Sequence, residues 1–412
     1  MINNFYKGER NQMSYIIAIG AYLVLLMIYG LVIAHKKVKT TDDMMTGGHK
    51  IPFIILVGSL LATWCGGGGI TGSAGVVYSG GPWVGALAYA APPIGIILLY
   101  FIAGRVRKTN KVTVPEIMGA RYGAAASVIS ALCVMLAYVG VLATQLKAAA
   151  DILVLLCHSS NIEMSHGTAL AICTIIVLII TVGGGLVSVA YSDAVSALIM
   201  IGGFFLAIPI LVHVANSQGA VLPPEKASFT GGLSGWTLLG YFLPGLSLML
   251  GDQNMLQRFA SAKNSDEAKK SNIGMFIGEL LVIISIIALV TQAAKLYPSL
   301  DTPSNVIFQV AVDYLPLVFG ALVMCACMAF IVTTADSYLL SSATNLTNDI
   351  YVKYINKNAT DRQKMNVLRA TIVVFSVIAV ALTLYFPTVL QLQLTAYTMY
   401  GAAITPAILF AL

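Results

Sequence analysis

Thr333 and Thr334 stand side by side in FIVTTADSYLLSSATN, inside a long apolar run. Two readings of these hydroxyls are open. In one they bond back to the preceding turn, as hydroxyls in membrane helices often do. In the other they bind sodium, a hard cation that takes a shell of several oxygens. Carbonyls would complete such a shell, and a second stretch can supply them. Residues 55–79, ILVGSLLATWCGGGGITGSAGVVYS, are apolar on both sides of four consecutive glycines, Gly66 to Gly69. A glycine inside a helix costs ~1 kcal/mol relative to alanine. Four together predict an unwound point in a helix otherwise long enough to span a bilayer. Hydrocarbon cannot satisfy the freed backbone groups, so the break belongs at a cavity or within protein. A glycine face for helix packing competes, but packing uses glycines four apart. The natural carbonyl donors are Ala62 and Cys65, just before the glycines, and Phe330, one turn before Thr333.

Acidic residues in apolar runs are the next candidates, because a charge at a helix centre costs at least ~2.5 kcal/mol. Asp193 and Asp336 fall near the ends of spans, and for Asp193 helix cap and ion ligand are equally open. Asp252, beside Gly251, is either a carboxylate facing a central cavity or a gate residue paired with a base such as Arg258. Trp64 and Tyr138 are candidates for an aromatic cavity wall, where a ring face can hold a cation, and Gln393 is a polar one. Lys147 and Asp151, four apart, are expected to pair with one another. Glu279 has no assigned role. The six cysteines (65, 133, 157, 173, 325, 327) and five histidines form no metal-spaced set. They read as fillers and span-end residues, and no enzyme motif is present.

The elements that must position these residues are membrane helices. Of 412 residues, 58% are hydrophobic and 10% charged, against roughly 25% charged in soluble domains. Apolar runs near the ~20 residues of a bilayer crossing give about eleven spans. They are 14–34, 53–79, 83–104, 124–157, 167–184, 186–213, 234–255, 272–297, 316–350, 366–386 and 388–412. One alternate set of loops carries 18 of the 23 basic residues, from Lys36, Lys37, Lys39 and Lys50 through Arg258 to Arg369. The opposite side has Lys7, Arg10, Lys226 and Lys295. The basic side is therefore read as cytoplasmic and the N-terminus as outside, in a multi-pass plasma membrane protein, bacterial inner membrane being the expectation. The net charge of +6 follows from this asymmetry and implies no nucleic acid. The chain ends at Leu412 in or just after an apolar run, so further helices are expected beyond it.

After the first helix the spans divide five and five, and each half opens on an interrupted helix. The second, 234–255, carries Pro244-Gly245 and then Gly251-Asp252. Paired broken helices in two inverted halves point to a binding site at the membrane midplane. The organisation expected is one transmembrane unit: an extra helix and loop (1–52), a first repeat (53–213) and a second (234–412).

Four segments resemble the sodium:solute symporter family: TVPEIMGARYG (113–123), GGGLVSVAYSDAVSALIM (183–200), GDQNMLQRFASAKNSDEAKKS (251–271) and IVTTADSYLLSSATNLTNDIY (331–351). TWCGGGGITGSA and SVAYSD are most similar to the branch containing high-affinity choline transporters. The resemblance implies an all-α, inverted five-helix repeat with one extra helix in front. It implies a sodium site on Ala62, Cys65 and Phe330 through carbonyls and on Thr333 and Thr334 through hydroxyls. A second sodium site, present in some members, would fall on Asp193 with Asp336 and Ser337. The substrate wall would include Trp64, Gly68, Gly69 and Tyr138, with Asp252 and Gln393 at positions where tryptophans are expected. The aromatic cage is thus incomplete, and a carboxylate there suits a primary or secondary amine as well as an unrelated polar solute. The function implied is sodium-coupled import of a small organic solute. A transporter-like sensor and a proton-coupled carrier using Asp193 or Asp336 are the alternatives, and the sequence does not give the oligomeric state.

Overall fold

The structure is a computed structural model that describes residues 13–37, 47–49, 51–109 and 111–412. Helix α1 is Met13–Lys37. Phe53–Trp64 (α2) and Gly68–Gly80 (α3) are halves of one span, bent by 58°. Pro82–Thr109 (α4), Val114–Tyr122 (α5) and Ala124–Ser159 (α6) follow. His166–Val182 (α7) and Gly185–Ser217 (α8) complete the first half. The second half runs Gly235–Gly251 (α9), Gln253–Ala260 (α10) and Ser265–Leu296 (α11). Leu317–Ile355 (α12) and Asp361–Tyr385 (α13) follow, then the bent pair Val389–Ala403 (α14) and Thr405–Ala411 (α15). Among the described residues there is no strand, only an isolated bridge between Ile51 and Ala262.

Among the described residues, seven single helices and two bent pairs are long and apolar enough to cross a membrane. The two shorter helices α7 and α9 fall where the remaining two of the eleven expected spans lie. Each of these boundaries has a local cause. At Gly185 φ is +63°, a conformation that turns the chain between α7 and α8 and that glycine adopts without steric cost. Helix α9 passes through Pro244 and stops at Gly251, because the Asp252 carboxylate caps α10, accepting from Asn254 N at 2.6 Å. Helix α11 begins at Ser265, well before the apolar run, because Asn264 caps it through Glu267 N at 2.8 Å. The unexpected break at Ile404 precedes Pro406, which has no N–H to continue the ladder.

Helices α2, α8 and α12 form the centre of the bundle. Helix α2 approaches α8 so closely that a Cβ at Gly58 would lie 2.5 Å from Ala194 Cα. The basic loops gather at one end. Arg107 Nε donates to Ala262 O at 2.6 Å, Ser265 Oγ to Gly104 O at 3.2 Å and Lys37 Nζ to the Tyr191 hydroxyl at 2.5 Å. At the other end Tyr78 donates to Tyr297 O at 2.9 Å, and Lys226 sits 4.0 Å above the Tyr78 ring. Lys7, Arg10, Lys39 and Lys50 lie outside the described residues. Two expected charge roles are corrected. Asp151 pairs with His166 Nδ1 at 3.4 Å, not with Lys147. Arg258 is not a loop cation but is fully buried.

Candidate functional site

In an unbroken helix the Ala62 carbonyl would accept the Gly66 N–H, four residues on. Gly66 N instead donates to Trp64 O at 2.9 Å. The Ala62 carbonyl is released and accepts from Thr334 Oγ1 of α12 at 2.9 Å. Thr333 Oγ1 turns toward its own helix, 3.5 Å from Phe330 O. The two adjacent hydroxyls therefore differ: Thr333 reaches back to its own helix and Thr334 bridges to the break. Glycine is required at 66, since a Cβ there would lie 2.7 Å from Thr334 Cγ2. The freed Gly67 amide is satisfied by Gln145 Oε1 of α6 at 2.5 Å. Neutral carbonyl and hydroxyl oxygens from two helices thus converge at the break, the ligand type that hard cations take.

On the other face of the break lies a cavity enclosing about 690 Å³, part of it open to solvent. Trp64, Tyr89, Tyr241 and Tyr397 supply its aromatic wall, with Trp64 and Tyr397 rings 5.9 Å apart. Its polar groups include Cys65, Gln393 and Glu279. The Cys65 thiol donates to Glu279 Oε2 at 3.0 Å, tying the break to α11. The Tyr89 hydroxyl donates to Gly69 O, so Tyr89 offers the cavity mainly its ring. Gln393 packs against the glycines, since a Cβ at Gly68 would lie 2.5 Å from its Cδ.

Asp252 and Tyr138 do not line this cavity. They close it toward the basic end. The Asp252 carboxylate accepts from the Tyr138 and Tyr338 hydroxyls, each at 2.7 Å. The Tyr138 and Tyr400 rings stack with centroids 5.3 Å apart, and Tyr400 donates to Gly251 O at 2.8 Å. Beyond this cluster the polar helix α10, QNMLQRFA, is buried along its whole length. Gln253 Nε2 donates to Asn345 Oδ1 at 2.8 Å, and Ser341 Oγ binds both Asn254 Oδ1 and Gln257 Oε1.

Arg258 anchors this plug. Its Nε donates to Ser59 Oγ at 2.8 Å, and one terminal nitrogen reaches Ser337 Oγ at 2.9 Å and Asp193 Oδ2 at 3.4 Å. Asp193 lies well inside α8, so it is not a helix cap. The base that the sequence pairs with Asp252 is thus held by Asp193. Asp336 opens on a separate cleft beside α1, shared with Ser188, Ser192 and Thr333. Arg258 therefore stands among the oxygens expected to form a second ion site.

The profile of the sodium:solute symporter family matches residues 44–412. The chain belongs to that family. It is 25% identical to a high-affinity choline transporter of Drosophila melanogaster, over 91% of this chain and 62% of that protein. It is 26% identical to an osmoregulated proline transporter of Bacillus subtilis, over 96% of this chain and 83% of the relative. In three dimensions the chain superposes on a Na+-coupled sialic acid symporter in a substrate-bound, outward-open state with a TM-score of 0.79. That pair shares 17% identity and covers 97% of this chain and 86% of the other. A nucleobase-cation-symport-1 family transporter in a closed conformation gives 0.63 at 13% identity, covering 89% and 79%. The fold is therefore the sodium symporters' inverted repeat, and the family is one of transporters rather than enzymes.

Sequence reasoning missed three tyrosines of the cavity and left Glu279 without a role. For Glu279 the signal was present: it is the lone acid in the apolar stretch of α11. For Tyr89, Tyr241 and Tyr397 no local signal separates them from lipid-facing aromatics.

Proposed function

We propose that this chain couples sodium entry to the import of a small organic solute by alternating access. The observation that carries the reading is the Ala62 carbonyl, freed at the break and met by Thr334 at 2.9 Å, directly behind the cavity wall at Trp64 and Cys65. In this reading sodium binds Ala62, Cys65, Phe330, Thr333 and Thr334 and takes the place of the Thr334–Ala62 hydrogen bond. It ties α2 to α12 and so fixes the break that shapes the cavity. Solute in the cavity and sodium behind it stabilise one state, and each raises the other's affinity by the same factor.

The cavity lies on the side of Asp252 away from the basic loops. With that basic end cytoplasmic, the chain sits in the plasma membrane with α1 entering from outside and its cavity facing the exterior. Release requires α10 to withdraw, which breaks the Arg258, Ser341 and Asn345 contacts together. Arg258 holds Asp193 and Ser337 in this state, so a second sodium there would follow its departure. The repeats run 53–213 and 234–412, each opening on its broken span.

Thermal melting of the purified full chain in sodium and in potassium at equal ionic strength tests the reading. Sodium should raise the melting temperature of the natural chain and leave that of Thr333→Ala/Thr334→Ala unchanged. Equal effects of the two cations on the natural chain would sink it.

A further inference from the structure

Glu279 is 2% exposed, in the middle of the bundle. Its carboxyl accepts one weak hydrogen bond, from the Cys65 thiol. Among the described residues no lysine, arginine or histidine lines the cavity, and no ion pair involves Glu279. A buried carboxylate without a counter-charge is among the costliest groups a protein can hold. In a membrane bundle such a residue marks a ligand path by default. A second buried acceptor lies on the same wall: Gln393 Oε1 has no partner among the described residues. The remaining wall is aromatic, and ring faces attract cations.

We propose that Glu279 is the anionic anchor for the transported solute, which is a small organic ammonium carrying at least one N–H. The charge answers Glu279, the N–H groups answer Glu279 and Gln393, and the carbon skeleton lies against Trp64, Tyr241 and Tyr397. A carboxylate on the solute meets a like charge here and no basic partner, so a zwitterion such as proline is disfavoured along with acetate. A quaternary ammonium satisfies the charge and rings but has no N–H for Glu279 or Gln393, and the single hydroxyl of choline can serve only one of them. The assignment rests on the symport reading and gives it a substrate class.

The test uses the purified full chain, melted with ethanolamine, putrescine, choline, proline or acetate, each with and without sodium. Ethanolamine or putrescine should stabilise it, more strongly in sodium, and ahead of choline. Glu279→Gln, nearly isosteric, should weaken that ammonium ligand by roughly 30-fold or more while keeping the shift caused by sodium alone. Gln393→Leu should narrow the margin between ethanolamine and choline. Stabilisation by proline or acetate alone, choline equal to ethanolamine in the natural chain, no amine effect, or full amine binding by Glu279→Gln would each overturn the assignment. Absence of a sodium shift in the natural chain would instead defeat the coupling reading, whatever Glu279 does.

Discussion

Replacing Arg258 with methionine keeps most of its length and removes its charge. The guanidinium joins α10 to Ser59 of α2, Asp193 of α8 and Ser337 of α12. Its loss leaves Asp193 fully buried with one oxygen already unpartnered. Removing one member of a buried ion pair costs about 3–5 kcal/mol, chiefly as the penalty on the charge left behind. Because the pair spans the plug and the bundle, that cost falls on the state closed at the basic end. At ~1.4 kcal/mol per tenfold, the closed-to-open ratio should fall by at least ~100-fold. Ser341→Cys reports it, since Ser341 lies beneath α10 against Asn254 and Gln257. Cys133 is the one half-exposed native cysteine and is replaced by serine in the background. In inside-out vesicles a membrane-impermeant maleimide should label the thiol introduced by Ser341→Cys slowly, and far faster once Arg258→Met is added. Adding Asp193→Asn removes the orphaned charge and should return the rate most of the way. Unchanged labelling in Arg258→Met, or no recovery in the double variant, would refute the role given to this pair.

Two further perturbations address the scaffold. Gly58→Ala pushes a methyl to 2.5 Å from Ala194 Cα and should cost about 1–3 kcal/mol by overpacking, whereas Gly69→Ala meets nothing within 4 Å. Melting temperatures of the two variants should separate clearly, with Gly58→Ala the lower. Gln145→Ala strands the Gly67 N–H inside the protein at a cost of ~1–3 kcal/mol. It should lower the melting temperature and weaken the sodium-induced shift together, because the same bond holds the break open.

Much of the fold was legible because a bilayer imposes a simple grammar. Apolar run length located seven single helices and two bent pairs that are long and apolar enough to cross a membrane, among the described residues. Four adjacent glycines could mean little besides a break. The four family-like segments agree with the family match over residues 44–412. What stayed illegible was lateral: which face of each helix meets which neighbour. Asp252 and Glu279 are both acids in apolar surroundings, and sequence spacing could not tell which faced the cavity. The structure gives Asp252 two tyrosine hydroxyls and a helix to cap, while Glu279 receives a thiol and open space. Arg258 was hidden by its address among loop cations, where nothing marked it as the partner of Asp193. Thr333 and Thr334 were found as a pair, yet only packing against α2 distinguishes the hydroxyl that crosses to Ala62 from the one that turns back.

Saturable binding of radiolabelled sodium to the purified full chain tests the central claim most directly, because it needs no knowledge of the solute. The natural chain should bind sodium in excess of potassium. Thr333→Ala/Thr334→Ala should lose at least ~10-fold in sodium affinity while still folding in potassium, with a melting temperature lowered there only by the lost Thr334–Ala62 bond. Undiminished sodium binding by that double variant would contradict the account.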